Sequence, residues 1–292
     1  MRKWILIVLC LLIPTQVFSQ FLEKPRKNKY KYFISVTAMF NQEAPYLKEW
    51  IEYHKLIGVE HFYLYNNSSE DHYLEVLQPY VDSGEVDLID WPSSRSSSWV
   101  GAQYVAVDNA LEKAKTETRW LAIIDIDEFF VPLEHYSLID FLEDHEEYGQ
   151  IVVMWRYYGT SNVEKIPSDK LLIETLLYRE EFVPGKVNKS KCIVKPKAVL
   201  KGDVHICELI PSYKTAYYNE GLEEYPPIIL NHYWTRDIDF LMSVKHERQQ
   251  RLYKRPWTEK EKEYYQNIYN DVLDDTMLFY EPFLRDAVFG GP

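Results

Sequence analysis

Three carboxylates interrupt an otherwise apolar run in Trp120-Leu121-Ala122-Ile123-Ile124-Asp125-Ile126-Asp127-Glu128-Phe129-Phe130-Val131-Pro132. Charges set between apolar neighbours need compensation, and residues i and i+2 of an extended chain point the same way. Asp125 and Asp127 can therefore face one hard divalent cation. Imidazole also suits manganese, and His232, closing the apolar run Ile228 to Trp234, is the distant residue that would complete such a site. His205 is a residue of the same kind. Lys189, Lys191 and Lys195 form a small basic cluster able to pair with phosphate. A bare D-x-D is also what a solvated turn looks like, so the weight lies in the combination.

Elements that would position these residues follow from the pattern of the chain. Tyr32 to Phe40 reads as a strand buried on both faces, and Pro45 suits the first turn of the helix that follows it. Leu47, Trp50, Ile51, Leu56 and Ile57 recur at helical spacing up to Gly58. Strands over Val59 to Tyr65 and Val86 to Trp91, with a helix over Tyr73 to Tyr80 between them, give a second β-α-β unit. Trp99 to Lys115 then reads as a helix leading into the acidic strand. These intervals predict a mainly parallel α/β sheet built by right-handed crossovers, with ligands at the carboxyl ends of its strands. Further along, helices are expected at Leu138 to Leu142 and Ser168 to Arg179, and strands at Gln150 to Tyr157, Lys191 to Val194, Val204 to Leu209 and Ile228 to Trp234. Helical pattern resumes from Asp237, restarts at Pro256-Trp257-Thr258, and leaves an apolar tail from Tyr280 that docks or frays. No glycine-rich phosphate loop occurs, so a bound diphosphate would need another grip, for which a carboxylate-bound cation is the obvious candidate.

Composition narrows the class. The 292 residues are 46% hydrophobic with a net charge of −12, which suits one large α/β domain or two small ones and argues against a nucleic-acid partner. Met1 to Gln20 has the layout of a secretory signal peptide: Arg2 and Lys3, the apolar run Trp4 to Ile13, then Pro14 and a small residue, Ser19. A membrane anchor is the competing reading, disfavoured because the apolar run is short for a span, which needs about 20 residues. The expectation is export or entry to a secretory pathway, with single-pass anchoring as the alternative. After cleavage Cys192 and Cys207 would remain, and whether they pair is left open.

Taken in order, several blocks resemble glycosyltransferase family 92 and its family 2-like relatives. They are Phe40 to His54 with Gly58-Val59, Tyr65 to Asp71, Asp125 to Phe129, Trp155 to Ser161, Lys191 to Pro196, Val204-His205, and His232-Tyr233 with Arg236 and Lys245. The resemblance implies a GT-A-like fold: a mainly parallel central sheet flanked by helices, with smaller antiparallel strands on the acceptor side and C-terminal helices. On that reading residues 1–19 are the leader, 20–31 a linker, 32–132 a nucleotide-binding half, 133–256 an acceptor half and 257–292 a helical extension.

It further implies transfer of a sugar, galactose where family members are characterised, from a UDP-sugar to a glycan or other hydroxyl acceptor with inversion. Asp125, Asp127 and His232 would hold Mn2+ or Mg2+. Thr37, Glu43 and Asn66 would read base and ribose, Gln103 and Asp108 the donor sugar or ribose, and Lys191 the diphosphate. Trp155, Tyr158 and His205 would meet the acceptor. Inversion needs one general base, which the sequence does not single out; Glu208 and Asp239 stand as candidates. The chain departs from the family pattern at Asn41-Gln42-Glu43, at Arg236 where lysine is frequent, and at Asp237. A metal-dependent phosphoesterase and a non-catalytic carbohydrate-binding protein are the rival readings, and UDP titration with and without manganese separates them.

Overall fold

The computed structural model describes residues 29–92, 98–218 and 224–290. The expected leader, most of the linker and most of the serine-rich loop after Pro92 lie outside them. No helix among the described residues is long and apolar enough to cross a membrane.

The first half follows the sequence closely. Strand β1 (Tyr32–Phe40) is buried along almost its whole length. Helix α1 (Ala44–Leu56) starts with Pro45 in its first turn and buries Leu47, Trp50, Ile51 and His54, one face at helical spacing. Gly58 ends the helix at φ +108°, where a β-carbon would also meet Ile139 at 2.8 Å. Next come β2 (His61–Asn66), α2 (Tyr73–Asp82), β3 (Val86–Asp90), α3 (Trp99–Glu117) and β4 (Thr118–Ile123). Helix α3 is capped by the Ser98 hydroxyl, which accepts from Gly101 N at 3.1 Å. It buries Ala102, Ala106, Ala110 and Ala114, an every-fourth-residue stripe of small side chains that lets it lie close on the sheet.

The second half departs further. After β5 (Glu128–Pro132), α4 (Leu138–Glu143) and β6 (Tyr148–Tyr157), the helix expected over Ser168 to Arg179 shrinks to one turn, α5 (Leu172–Thr175), followed by β7 (Tyr178–Arg179). Strand β8 (Ser190–Val194) is as expected. The strand expected over Val204 to Leu209 is mostly a turn, because Asp203 Oδ1 accepts from His205 N at 2.7 Å and so bends the backbone. Its last two residues form β10 (Glu208–Leu209), paired with β9 (Val199–Lys201). Then follow β11 (Lys214–Tyr218), β12 (Ile228–His232), α6 (Ile238–Phe240), a π turn over Leu241–Lys245, α7 (His246–Tyr253), α8 (Glu259–Asn267), β13 (Val272–Leu273) and α9 (Glu281–Phe289). The tail docks: Leu284 is buried, and Lys48 Nζ of α1 donates to Val288 O at 2.6 Å.

One sheet has the order β3-β2-β1-β4-β8-β6-β12-β5, with β11 on β6. The run β3-β2-β1-β4 is parallel. Strand β8 is antiparallel to both β4 and β6, and β12 runs parallel to β6 and antiparallel to β5. The α/β class and the mainly parallel sheet flanked by helices are thus present. Cys192 and Cys207 are free, buried thiols, and Cys207 Sγ donates to Asp203 O at 3.6 Å.

Candidate active site

The acidic stretch is not one extended strand. Strand β4 ends at Ile123, the chain turns with Glu128 N bonded to Asp125 O at 3.1 Å, and β5 leaves in another direction to pair with β12. That turn defeats the i, i+2 geometry expected for Asp125 and Asp127. Asp125 meets Lys191 Nζ at 2.8 Å and Gln103 Nε2 at 3.3 Å. Asp127 meets Lys245 Nζ at 2.6 Å and His232 Nε2 at 3.4 Å. His232 arrives there by strand register, since it stands opposite Glu128 in the β12–β5 ladder, and its Nδ1 lies 4.0 Å from Glu128 Oε1. Lys245 arrives by the π turn that it ends, whose extra residue rotates the helical face relative to a regular α-helix. Arg236 holds the turn from behind, donating to Ile126 O and to Glu43 Oε2, each at 3.1 Å, from a backbone at φ +57°.

Burial governs the charges here. It pushes Asp127 upward, yet Lys245, His232 and Arg236 together hold that carboxyl well below the ordinary range. Burial also pushes Glu128 well above the usual carboxylate value, opposed by Lys191 and reinforced by Asp125 and Asp127. Burial lowers His232 despite Asp127, so the imidazole is neutral and Lys245 supplies the charge that balances Asp127. Burial works against the charged form of Lys191 too, but Asp125 and Glu128 raise it above the ordinary lysine value. Ligand atoms of Asp127, Glu128 and His232 lie within 4.8 Å of one another, the one such grouping among the described residues. Glu128 Oε1 and His232 Nδ1 are buried with no hydrogen-bond partner, so this donor set fits a divalent ion. Asp125 stands outside that group.

The turn opens on a cleft of ≈ 970 Å3 walled by Asn41, Asn67, Trp99, Trp155, Trp234 and Arg248 among others, large enough for a nucleotide-linked sugar. The model of glycosyltransferase family 92 matches residues 30–275. The chain belongs to glycosyltransferase family 92. A family 92 protein of Ricinus communis is 27% identical over 223 residues, 71% of this chain and 36% of its own length. The beta-1,4-galactosyltransferase galt-1 of Caenorhabditis elegans is 26% identical over 68% of this chain and 48% of its own, and the galactan beta-1,4-galactosyltransferase GALS3 of Arabidopsis thaliana 27% over 65% and 40%. The chain spans between about a third and a half of the length of these relatives. Among solved structures, a mannosyltransferase of Pyrobaculum calidifontis, in complex with GDP-Man and Mn2+, aligns with TM-score 0.43 at 12% identity over 95% of this chain and 76% of that one. TarS of S. aureus aligns with TM-score 0.41, 12% identity, over 80% and 69%.

Within this family 92 chain the residues expected at the site separate into two groups. Asp125, Asp127, His232, Glu43, Gln103, Lys191, Trp155 and His205 line the cleft. Thr37 lines only a small cavity of ≈ 20 Å3 beside Asp125 and Lys191. Asn66 turns away to Tyr73 and Asp90, and it is Asn67 that reaches the cleft. Asp108 is exposed on α3 beside Gly202, away from the cleft walls. Tyr158 is packed in the core against Tyr233. Neither candidate base is in place: Glu208 is exposed on β10, and Asp239 pairs with Lys165 on the surface at 2.9 Å. Glu43 is consumed by Arg236 and Arg248, with Arg248 Nη1 at 2.8 Å. The roles of Glu128, Lys245, Arg248, Asn67 and Trp234 were not assigned from sequence. The signals were there for three of them: Glu128 extends the acidic run, and Lys245 and Arg248 share a helical face at i, i+3.

Proposed function

We propose that this chain transfers a sugar from a nucleotide donor, UDP-linked, to a hydroxyl acceptor, with galactose as the first sugar to try. Membership of family 92 supports the reaction class, and the relatives whose names specify galactosyl transfer support the sugar. The observation that carries the reading is the grouping of Asp127 and His232, which line the cleft, with Glu128 buried beside them, in a cleft that Lys191, Lys245, Arg248, Arg251 and Lys254 also line. A manganese or magnesium ion held by Asp127, Glu128 and His232 would supply Lewis-acid neutralisation of the departing diphosphate. Lys191 and Lys245, each already beside a site carboxylate, add fixed positive charge where the leaving group gains negative charge. Trp155, whose buried indole N–H has no hydrogen-bond partner among the described residues, lines the same cleft and would offer an aromatic contact to the acceptor. A glycan acceptor, and a leader that exports or anchors the protein, complete the proposal.

A hydrolase of phosphate esters would be expected to use two ions, and the described residues provide one group of ligands. The test is a donor-hydrolysis screen across UDP-sugars together with UDP titration with and without Mn2+. Turnover that Asp127→Ala abolishes, and UDP binding that strengthens with Mn2+, are the expected results. Retained turnover in Asp127→Ala would overturn the site, and metal-independent binding of free sugar without UDP binding would favour a carbohydrate-binding protein.

A further inference from the structure

We propose that His205 is the general base of this site, taking the proton of the acceptor hydroxyl on Nε2. The inference rests on the transferase reading and adds to it the residue that sequence left unnamed. Three carboxylates line the cleft among the described residues, and each is already committed. Glu43 is gripped by Arg236 and Arg248, Asp125 by Lys191 and Gln103, and Asp127 by Lys245 and His232. A carboxylate fixed by cations is a poor proton acceptor, because protonation breaks the pair. Of the two cleft histidines, His232 is enclosed by Asp127 and Glu128.

His205 differs. Its Nδ1 is 2.8 Å from Ser190 O, and since a carbonyl only accepts, Nδ1 carries the proton and Nε2 keeps its lone pair. Nε2 has no hydrogen-bond partner among the described residues, and the ring lies edge-on to Trp155 at 5.5 Å on the same cleft wall. The turn that Asp203 imposes on the backbone sets this orientation, the same turn that removed the expected strand. Around the imidazole stand Lys191 from β8, Lys189 just before that strand and Asp125 from the turn after β4, with burial the largest influence and a lowered proton affinity the result, so the ring is neutral near pH 7. In the step itself the acceptor oxygen bonds to the anomeric carbon as its proton passes to Nε2. The anomeric carbon–oxygen bond to the diphosphate breaks, its electron pair leaving with the diphosphate, and the imidazolium then returns its proton to water.

His205→Asn keeps a donor N–H for Ser190 O and removes the base, whereas His205→Ala opens space for a small molecule. With the UDP-sugar that the wild-type chain turns over fastest, both variants should lose about 10²-fold or more in kcat. UDP affinity in the presence of Mn2+ and thermal stability should be unchanged, the acid limb of the kcat/KM pH profile should vanish, and added imidazole should restore part of the turnover of His205→Ala. Turnover in His205→Asn within about 5-fold of wild type, below the range a general base supplies, overturns the assignment. Loss of UDP affinity in parallel with turnover overturns it too, since a structural role would then explain the effect. A wild-type chain that neither consumes a UDP-sugar nor binds UDP sinks the transferase reading instead.

Discussion

Arg236 shows how one side chain can hold a site without touching a ligand. Its guanidinium is fully buried over the Tyr46 ring at 4.1 Å, and it links Glu43 of the first loop to the carbonyl between the two aspartates. A left-handed backbone at a non-glycine residue is strained and persists only where surrounding bonds impose it. Arg236→Met should therefore destabilise the fold by about 3–5 kcal/mol, because it removes one partner of a buried ion pair and leaves the Ile126 carbonyl unpaired. Urea unfolding measures this, and a loss under about 1 kcal/mol, the worth of an exposed pair, would show that Arg236 is dispensable.

At the scale of elements, Glu49 joins α1 to α5. Its carboxylate accepts from Leu172 N at 2.7 Å and Ile173 N at 3.0 Å, the first N–H groups of that short helix. Burial nonetheless pushes it up to about 7, with those two hydrogen bonds pulling the other way. Between the unfolded value near 4.5 and about 7 the folded state binds more protons than the unfolded state, so stability falls as pH rises through this window. The full effect is about 3 kcal/mol. Glu49→Gln should flatten the decline between pH 4.5 and 7 in a series of denaturant titrations; an unaltered slope would place its origin elsewhere.

Gly159 closes a different junction, where the end of β6 meets β7 and the segment before β13. Its N–H bonds to Tyr178 O at 3.0 Å and Tyr269 O at 3.1 Å, and a β-carbon would fall 2.6 Å from Ile268 O. Gly159→Ala should cost about 1–3 kcal/mol through overpacking, read as a lowered Tm. An unchanged Tm would mean that the segment yields freely. Neither junction was legible in the sequence, since each joins stretches more than 100 residues apart that are individually unremarkable in pattern.

The whole molecule carries a net charge of −12, yet Lys245, Arg248, Arg251 and Lys254 line one wall of the cleft. A cationic lining inside an acidic body attracts a nucleoside diphosphate while the rest of the surface repels polyanions. Salt screens such attraction, with a Debye length of about 8 Å at 0.15 M and about 3 Å at 1 M. The Kd for UDP should accordingly rise with NaCl at fixed Mn2+, and Arg251→Ala should weaken the salt dependence as well as the binding. A Kd indifferent to salt would remove the long-range role from this wall.

The amino-acid sequence by itself determined the β-α-β succession, the helix faces of α1 and α3, and the site's position where an apolar strand gives way to acids. These are local signals, since apolar spacing, Pro45 and Gly58 act within a few residues of where they are read. Only the tertiary structure decided who meets whom. The antiparallel register of β12 on β5 sets His232 against Glu128, and a turn rather than an extended run sends Asp125 to Lys191 and Asp127 to Lys245. The same packing sends Asn66 inward and Asn67 to the cleft, buries Tyr158, and strands Asp108, Glu208 and Asp239 outside. Side-chain direction at a strand end, and pairing across a hundred residues or more, depend on register and on backbone turns that no window of sequence contains.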